Sequence, residues 1–222
     1  MPVNAAYFLL TALADLTTPV GSIVLFTALV RLLVHPLTRA AVRGEKARMV
    51  LAPQARKLAE RYKKDPAKLQ EKTLALYKEN GTSMFAGILP MLVQAPVFMV
   101  MYQLFTTPRP LLDHTVFGTA LGAHLTASPM FIGLLAALAV VAYGTFRWQA
   151  GFARRSGAPT TGLTRVLRFL PFGTVLVGAI LPLAGGIYLL VTTSWTLLER
   201  AWLHRAAEPQ PRAGGSARTR TT

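Results

Sequence analysis

Apolar residues in this chain gather into long uninterrupted runs rather than alternating with polar ones. A helix needs ~20 mainly apolar residues to cross ~30 Å of hydrocarbon, and five runs come close: residues 20–37, 85–105, 129–148, 166–181 and 186–203. The fourth is short enough to imply local thinning of the bilayer or a tilted hairpin shared with the fifth. The pattern therefore predicts an all-α polytopic membrane protein with five transmembrane helices. A further apolar stretch, residues 7–16, is too short to span and has no basic residue before it. It reads as an interfacial helix within an outer-face segment 1–19 rather than as a secretory signal peptide.

Charge orients these spans. Of 24 Lys and Arg residues, twelve lie in 39–83 against five acids, five in 147–168 against none, and five in 199–222 against two. These blocks follow the first, third and fifth runs. By the positive-inside rule they are cytoplasmic, which gives an outside N-terminus and an inside C-terminus. Segments 106–128 and 182–185 become the outer connections and 149–165 a cytosolic loop. Composition agrees, with 52% hydrophobic and 15% charged residues. A net charge of +15 would suggest nucleic acid in a soluble protein, but separation into blocks between apolar runs points to membrane orientation and anionic lipid instead, with no specific DNA partner. The absence of cysteine removes disulfides, thiolate metal sites and thiol nucleophiles.

The basic segment 38–84 has its own order. Leu51, Leu58 and Tyr62 form one helical stripe and Leu69, Thr73 and Leu76 another, divided by Asp65-Pro66. Pro53 is expected to begin a fresh turn in the first arm, Pro66 to open the second, and Asn80-Gly81 to close it. The result is a charged cytosolic helical hairpin with narrow apolar stripes, suited to resting on the membrane or on a partner. Residues 204–222, rich in Pro, Gly, Ser, Thr and Arg, read as a disordered basic cytosolic tail.

Polar groups inside the runs are the candidates for function. Arg31 lies six residues before the cytosolic end of the first span, ~9 Å deep, where a cation costs ~2.5–3.5 kcal/mol on insertion scales. Snorkelling to the headgroups is one explanation. Thr27 and His35, at i−4 and i+4, stand on the same face and suggest a polar cavity instead. Gln94 and Gln103 in the second run need partners or water at that depth. In the fifth, Thr192, Thr193, Ser194 and Thr196 flank Trp195, although hydroxyls can also bond back to their own helix. Together these groups could line one wet groove, open to the cytosol and closed to the outside. Enzyme signatures are missing: Glu199 is the one acid in the five runs, so no carboxylate pair exists there, His35, His114, His124 and His204 lack metal-site spacing, and no phosphate-binding glycine loop occurs. A small channel or transporter built around the buried Arg31 is the alternative class, without support from internal repeats.

These residues also resemble a known family. Arg31-Leu-Leu-Val-His-Pro36-Leu37-Thr38 is similar to the first conserved span of YidC/Oxa/Alb membrane protein insertases, and Gly87-Ile-Leu-Pro90-Met-Leu-Val-Gln94-Ala-Pro96-Val-Phe98 to the second. The Pro53 region, Tyr62-Lys63-Lys64-Asp65 and Leu76-Tyr77 resemble its cytosolic hairpin. Pro182 and Ala184-Gly185 look like the entrance to the fifth span, but Tyr188 is followed by Leu189 and Leu190 where the family carries an aromatic pair, with Trp195 the candidate replacement. The resemblance implies a short, five-span bacterial insertase of the plasma membrane that uses no nucleotide hydrolysis and no cofactor. It implies a hydrophilic groove around Arg31, with Thr27 and Gln94, that receives polar flanks of nascent membrane proteins. The ribosome and the Sec translocon are the further partners implied.

Overall fold

The computed structural model describes residues 2–81, 89–107, 110–125, 128–156 and 168–205. Nearly all are helical. Helix α1 (Pro2–Leu16) is followed by α2 (Pro19–Arg61), α3 (Pro66–Glu79) and α4 (Leu89–Thr106). A short 3-10 turn, Pro110–Asp113, leads into strands β1 (Thr115–Val116) and β2 (Thr119–Ala120), then α5 (Pro129–Ser156). A second 3-10 turn, Leu170–Phe172, precedes α6 (Gly173–Ile180) and α7 (Leu183–Arg205).

Helix α2 departs from expectation. The first apolar run and the first arm of the basic hairpin form one continuous helix of 43 residues, ~65 Å long at 1.5 Å per residue. Thr18 caps its start by accepting from the Gly21 amide at 3.0 Å, with Pro19 in the first turn, where a missing N–H costs nothing. Pro36 and Pro53 lie inside it rather than at breaks. Both are exposed, so the helix can give way around their rings without disturbing a packed face.

The rest of the hairpin follows the sequence. Asp65 caps α3 by accepting from the Lys68 amide at 3.0 Å, and Pro66 occupies its first turn. At the far end the Asn80 amide donates to the Leu76 carbonyl at 3.3 Å and Gly81 has φ +62°. Helix α3 packs back on α2 but buries no residue completely, which makes the arm loosely held.

Around α2 the bundle is assembled by apolar contact. Helix α7 packs against α2, α5 and α4, α1 against α2 and α4, and α6 against α5. Leu10, Ile23, Leu104, Phe105, Phe131 and Leu138 are among the buried side chains of one continuous core. The outward faces are apolar too: Leu29, Leu32 and Leu33 of α2, Ile132 and Val140 of α5, and Leu176 and Ile180 of α6 are all exposed. Helices apolar on both faces suit hydrocarbon rather than water.

Among the described residues two helical stretches, Pro19–Ala47 and Pro129–Arg154, are long and apolar enough to cross a membrane alone, while Val3–Leu16, Val97–Thr106 and Leu170–Ile180 are shorter; the expected fifth run, within α7, is not among them. The expected runs 85–105 and 166–181 extend into residues outside the described set, as do most of the cytosolic loop 149–165 and the tail beyond Arg205. Residues 7–16 lie in α1, which buries Ala6 and Leu10 against the bundle while Phe8, Leu9 and Leu16 are exposed.

At one end of the bundle a β-hairpin turns through Phe117 and Gly118, at φ 48° and 76°. Glycine meets the second of these positive angles without strain. The loop is stitched to the α6–α7 turn by backbone bonds from Leu183 to Ala123 and from Ala184 to Leu121, both 2.9 Å. This small sheet was not expected of an all-α chain.

Candidate functional site

The site forms where α2 and α7 run side by side. Successive contacts join positions 31, 35 and 46 of α2 to positions 192, 199 and 203 of α7, so the two helices are parallel. Spacing of four on α2 puts Thr27, Arg31 and His35 on one face, and spacing of seven on α7 does the same for Thr192 and Glu199.

Arg31 meets α7 through a single residue. Its Nε donates to Thr192 Oγ1 at 2.9 Å and its Nη2 to the Thr192 carbonyl at 3.0 Å, with a further bond from Nη2 to Oγ1. That carbonyl also accepts from Thr196 Oγ1 at 2.8 Å. Among the described residues Nη1 has no hydrogen-bond partner.

A cavity of about 10 Å³ opens beside the guanidinium, between α2, α4 and α7. Thr27, Arg31, Tyr188 and Thr192 supply its polar wall, and Phe26, Val30, Val34, Val97 and Met101 its apolar wall. That volume holds roughly one water, so among the described residues the site is a small, partly open pocket. Thr27 is 2% exposed and donates to the Ile23 carbonyl at 2.6 Å, completing its hydroxyl within its own helix.

One turn below Arg31, His35 Nδ1 bonds to the Glu199 carboxylate. Farther along, Lys46 Nζ donates to the carbonyls of Leu203 and His204 at 2.8 and 3.2 Å, which complements the negative end of α7. Glu45 lies 3.3 Å from both Arg200 and His204. The His204 ring stands edge-on to Trp148 and Phe152 of α5, at 5.2 and 5.3 Å. The root of the basic hairpin is thereby tied to two other helices. Burial holds the His204 imidazole below its usual pKa, as Lys46 and Arg200 also do, with the Glu45 hydrogen bond and charge opposing them.

Of the seven expected groove residues, Arg31, Thr27 and Thr192 line the cavity, and His35 lies one turn along the seam, bonded to Glu199 rather than lining it. Gln103 is exposed on α4 and does not line the cavity. Trp195 lies outside the lining as well, and its indole Nε1 is buried without a hydrogen-bond partner among the described residues. Gln94 sits on α4, but its side chain is outside the described set. Thr193 and Thr196 bond back to their own helix, at 2.7 and 2.8 Å, the bland outcome for membrane hydroxyls. Tyr188 and Glu199 belong to the site without having been expected there. Their signals were a tyrosine at the family's aromatic position and the lone acid in five apolar runs. Among the described residues, no three His, Asp or Glu side chains converge as metal ligands.

Comparison with known proteins bears on this arrangement. The family model described as "60Kd inner membrane protein" matches residues 13–210. The chain is similar to the membrane protein insertase MisCA of Bacillus subtilis, 29% identical over 204 residues that cover 87% of this chain and 75% of that protein. It is similar to the membrane protein insertase YidC of Chloroherpeton thalassium, 23% identical over 210 residues, 85% of this chain and 33% of that protein. A shorter match, 39% identical over 82 residues, joins it to the YidC of Granulibacter bethesdensis and covers 37% of this chain and 14% of that protein. The chain thus spans a third or less of these two YidC relatives and three quarters of MisCA.

Proposed function

Because the chain belongs to the 60Kd inner membrane protein family, the YidC/Oxa/Alb group it resembles, we propose that it is a membrane protein insertase of the bacterial plasma membrane. Its N-terminus is outside, its C-terminus inside, and it crosses five times. The observation that carries this reading is Arg31: a cation within the long apolar stretch of α2, held by one threonine of a neighbouring helix and bordering a cavity.

Moving the polar flank of a client through hydrocarbon is costly because its backbone and charges lose water. A polar pocket reaching partway into the membrane shortens the dry path. Separation of α4 from the α2–α7 pair would widen the small cavity into a groove. Arg31 then attracts acidic groups of the client flank, with Nη1 available to a carboxylate, in surroundings where charges act strongly. Thr27, Tyr188 and Gln94 offer further polar contacts. Release follows as the client's apolar helix partitions sideways into lipid, which contributes ~25 cal/mol per Å² of apolar surface. Nascent membrane proteins are the substrates. The basic hairpin receives the emerging chain or the ribosome, and the Sec translocon and anionic lipid are further partners.

Insertion of one client with graded acidic substitutions in its translocated flank tests this, read by protease protection. Arg31→Lys is expected to keep much of the activity, Arg31→Ala to fail most on acidic flanks, and Arg31→Glu to be worse still for them. Equal insertion by all four proteins at every flank charge overturns the reading.

A further inference from the structure

Glu199 is the lone acid in the five expected spans, and a buried carboxylate is costly unless partnered. It is 9% exposed. Seven residues after Thr192 on α7, it lies ~10 Å along the helix from the Arg31 contact. It bonds to His35 Nδ1, one turn along α2 from Arg31. Arg31 itself bonds to the neutral groups of Thr192. The carboxylate is therefore in the field of the cavity's cation but not hydrogen-bonded to it, and His35 turns it toward α2.

This separation has an electrostatic effect. A carboxylate bonded directly to Arg31 would occupy the donors that a client needs. One held a short way off leaves them available and lowers the positive potential around them. Opposite unit charges ~10 Å apart at an effective dielectric constant of ~20 change an equilibrium by about tenfold, less after screening. That is a useful amount for a site that must bind a flank and then let it go.

We propose that Glu199 is the specificity-determining residue of the Arg31 cavity, a resident counter-anion that limits its preference for acidic client flanks and lets neutral and basic flanks pass. This rests on the insertase reading above. His35 is its positioning residue.

The test uses the purified full chain in vesicles of phosphatidylethanolamine and phosphatidylglycerol, at one fixed pH. A single-span client carries an acidic, neutral or basic translocated flank, and protease protection gives the acidic-to-neutral and basic-to-neutral insertion ratios. His35→Gln keeps a hydrogen-bond donor and removes titration of the imidazole, so it is the reference for the double variant His35→Gln/Glu199→Gln. Loss of the carboxylate should raise the acidic ratio about threefold to tenfold and lower the basic ratio. Where that variant does not reconstitute, His35→Leu/Glu199→Met replaces the pair with apolar groups of similar size, an exchange that folds tolerate well, and the same shift is expected. If Arg31→Ala alters the flank preference but loss of Glu199 changes all clients alike, or shifts the ratios the other way, the counter-anion role is overturned and the insertase reading stands. If Arg31→Ala changes no ratio, both fall.

Discussion

Gly186 of α7 lies so close to Leu134 of α5 that a Cβ built on it would overlap Leu134 Cδ2. Small residues permit such approach between membrane helices, where packing replaces the hydrophobic effect as the cohesive force. Gly186→Ala should therefore destabilise the bundle by ~1–3 kcal/mol, the usual range for overpacking. The double variant Gly186→Ala/Leu134→Ala should recover part of that loss. Thermal unfolding in detergent, compared across the single and double variants, checks the coupling.

The Arg31–Thr192 contact makes a different forecast. Thr192→Val removes the hydroxyl acceptor but leaves the carbonyl, so the guanidinium keeps one of its three bonds. A loss of ~1–2 kcal/mol is expected from hydrogen bonds of this kind in a membrane. Thr192→Ser should behave as the parent protein. Unfolding midpoints of the three proteins decide the matter, and equal midpoints for Val and Thr would show that the hydroxyl contributes nothing.

His204, just past the expected fifth span, carries a pH dependence. Its folded pKa is depressed, first by burial and then by Lys46 and Arg200 against the opposing Glu45. The folded state thus favours neutral imidazole and the unfolded state takes up the proton first. The contribution is present above the ordinary imidazole value of ~6.5 and is lost as pH falls through that value toward the folded one. Hydrogen-exchange protection at the root of the hairpin, around Glu45 and Lys46, taken relative to the base-catalysed intrinsic rate, should fall between pH 8 and pH 5.5, and His204→Gln should flatten the change.

Orientation is open to direct labelling. Cysteines placed at Thr107 or at Phe117, the exposed tip of the β-hairpin, should react with an impermeant reagent from outside. Those at Lys64 or Arg205 should react only after the cytosolic face is opened. Labelling of Lys64 from outside would remove the basis for every statement about the groove.

Much of this architecture was legible in the sequence because membranes and helices impose simple periods. The i±4 spacing of Thr27, Arg31 and His35 defined a polar face before any coordinate did, and Asp65-Pro66 and Asn80-Gly81 marked the ends of α3. Pro53 misled because a proline disfavours a helix interior in general, yet on an exposed face the lost bond and ring clash can be accommodated by local bending. The β-hairpin escaped notice since strands of two residues are too short to show alternation. Glu199 was visible only as an exception to the absence of acids. Its pairing with His35 depends on the register between helices 164 residues apart in sequence, which no local pattern carries.

The continuity of α2 couples its two ends, to the extent that the helix does not bend at Pro36 and Pro53. Some 24 residues separate Leu37 from Arg61, so the arm reaches roughly 36 Å beyond the end of the expected first span. Pivoting the buried half by about 10° sweeps the outer tip through roughly 6 Å. A load on that tip therefore reaches Arg31 through a lever, and a displacement at Arg31 is carried out to the tip by the same helix.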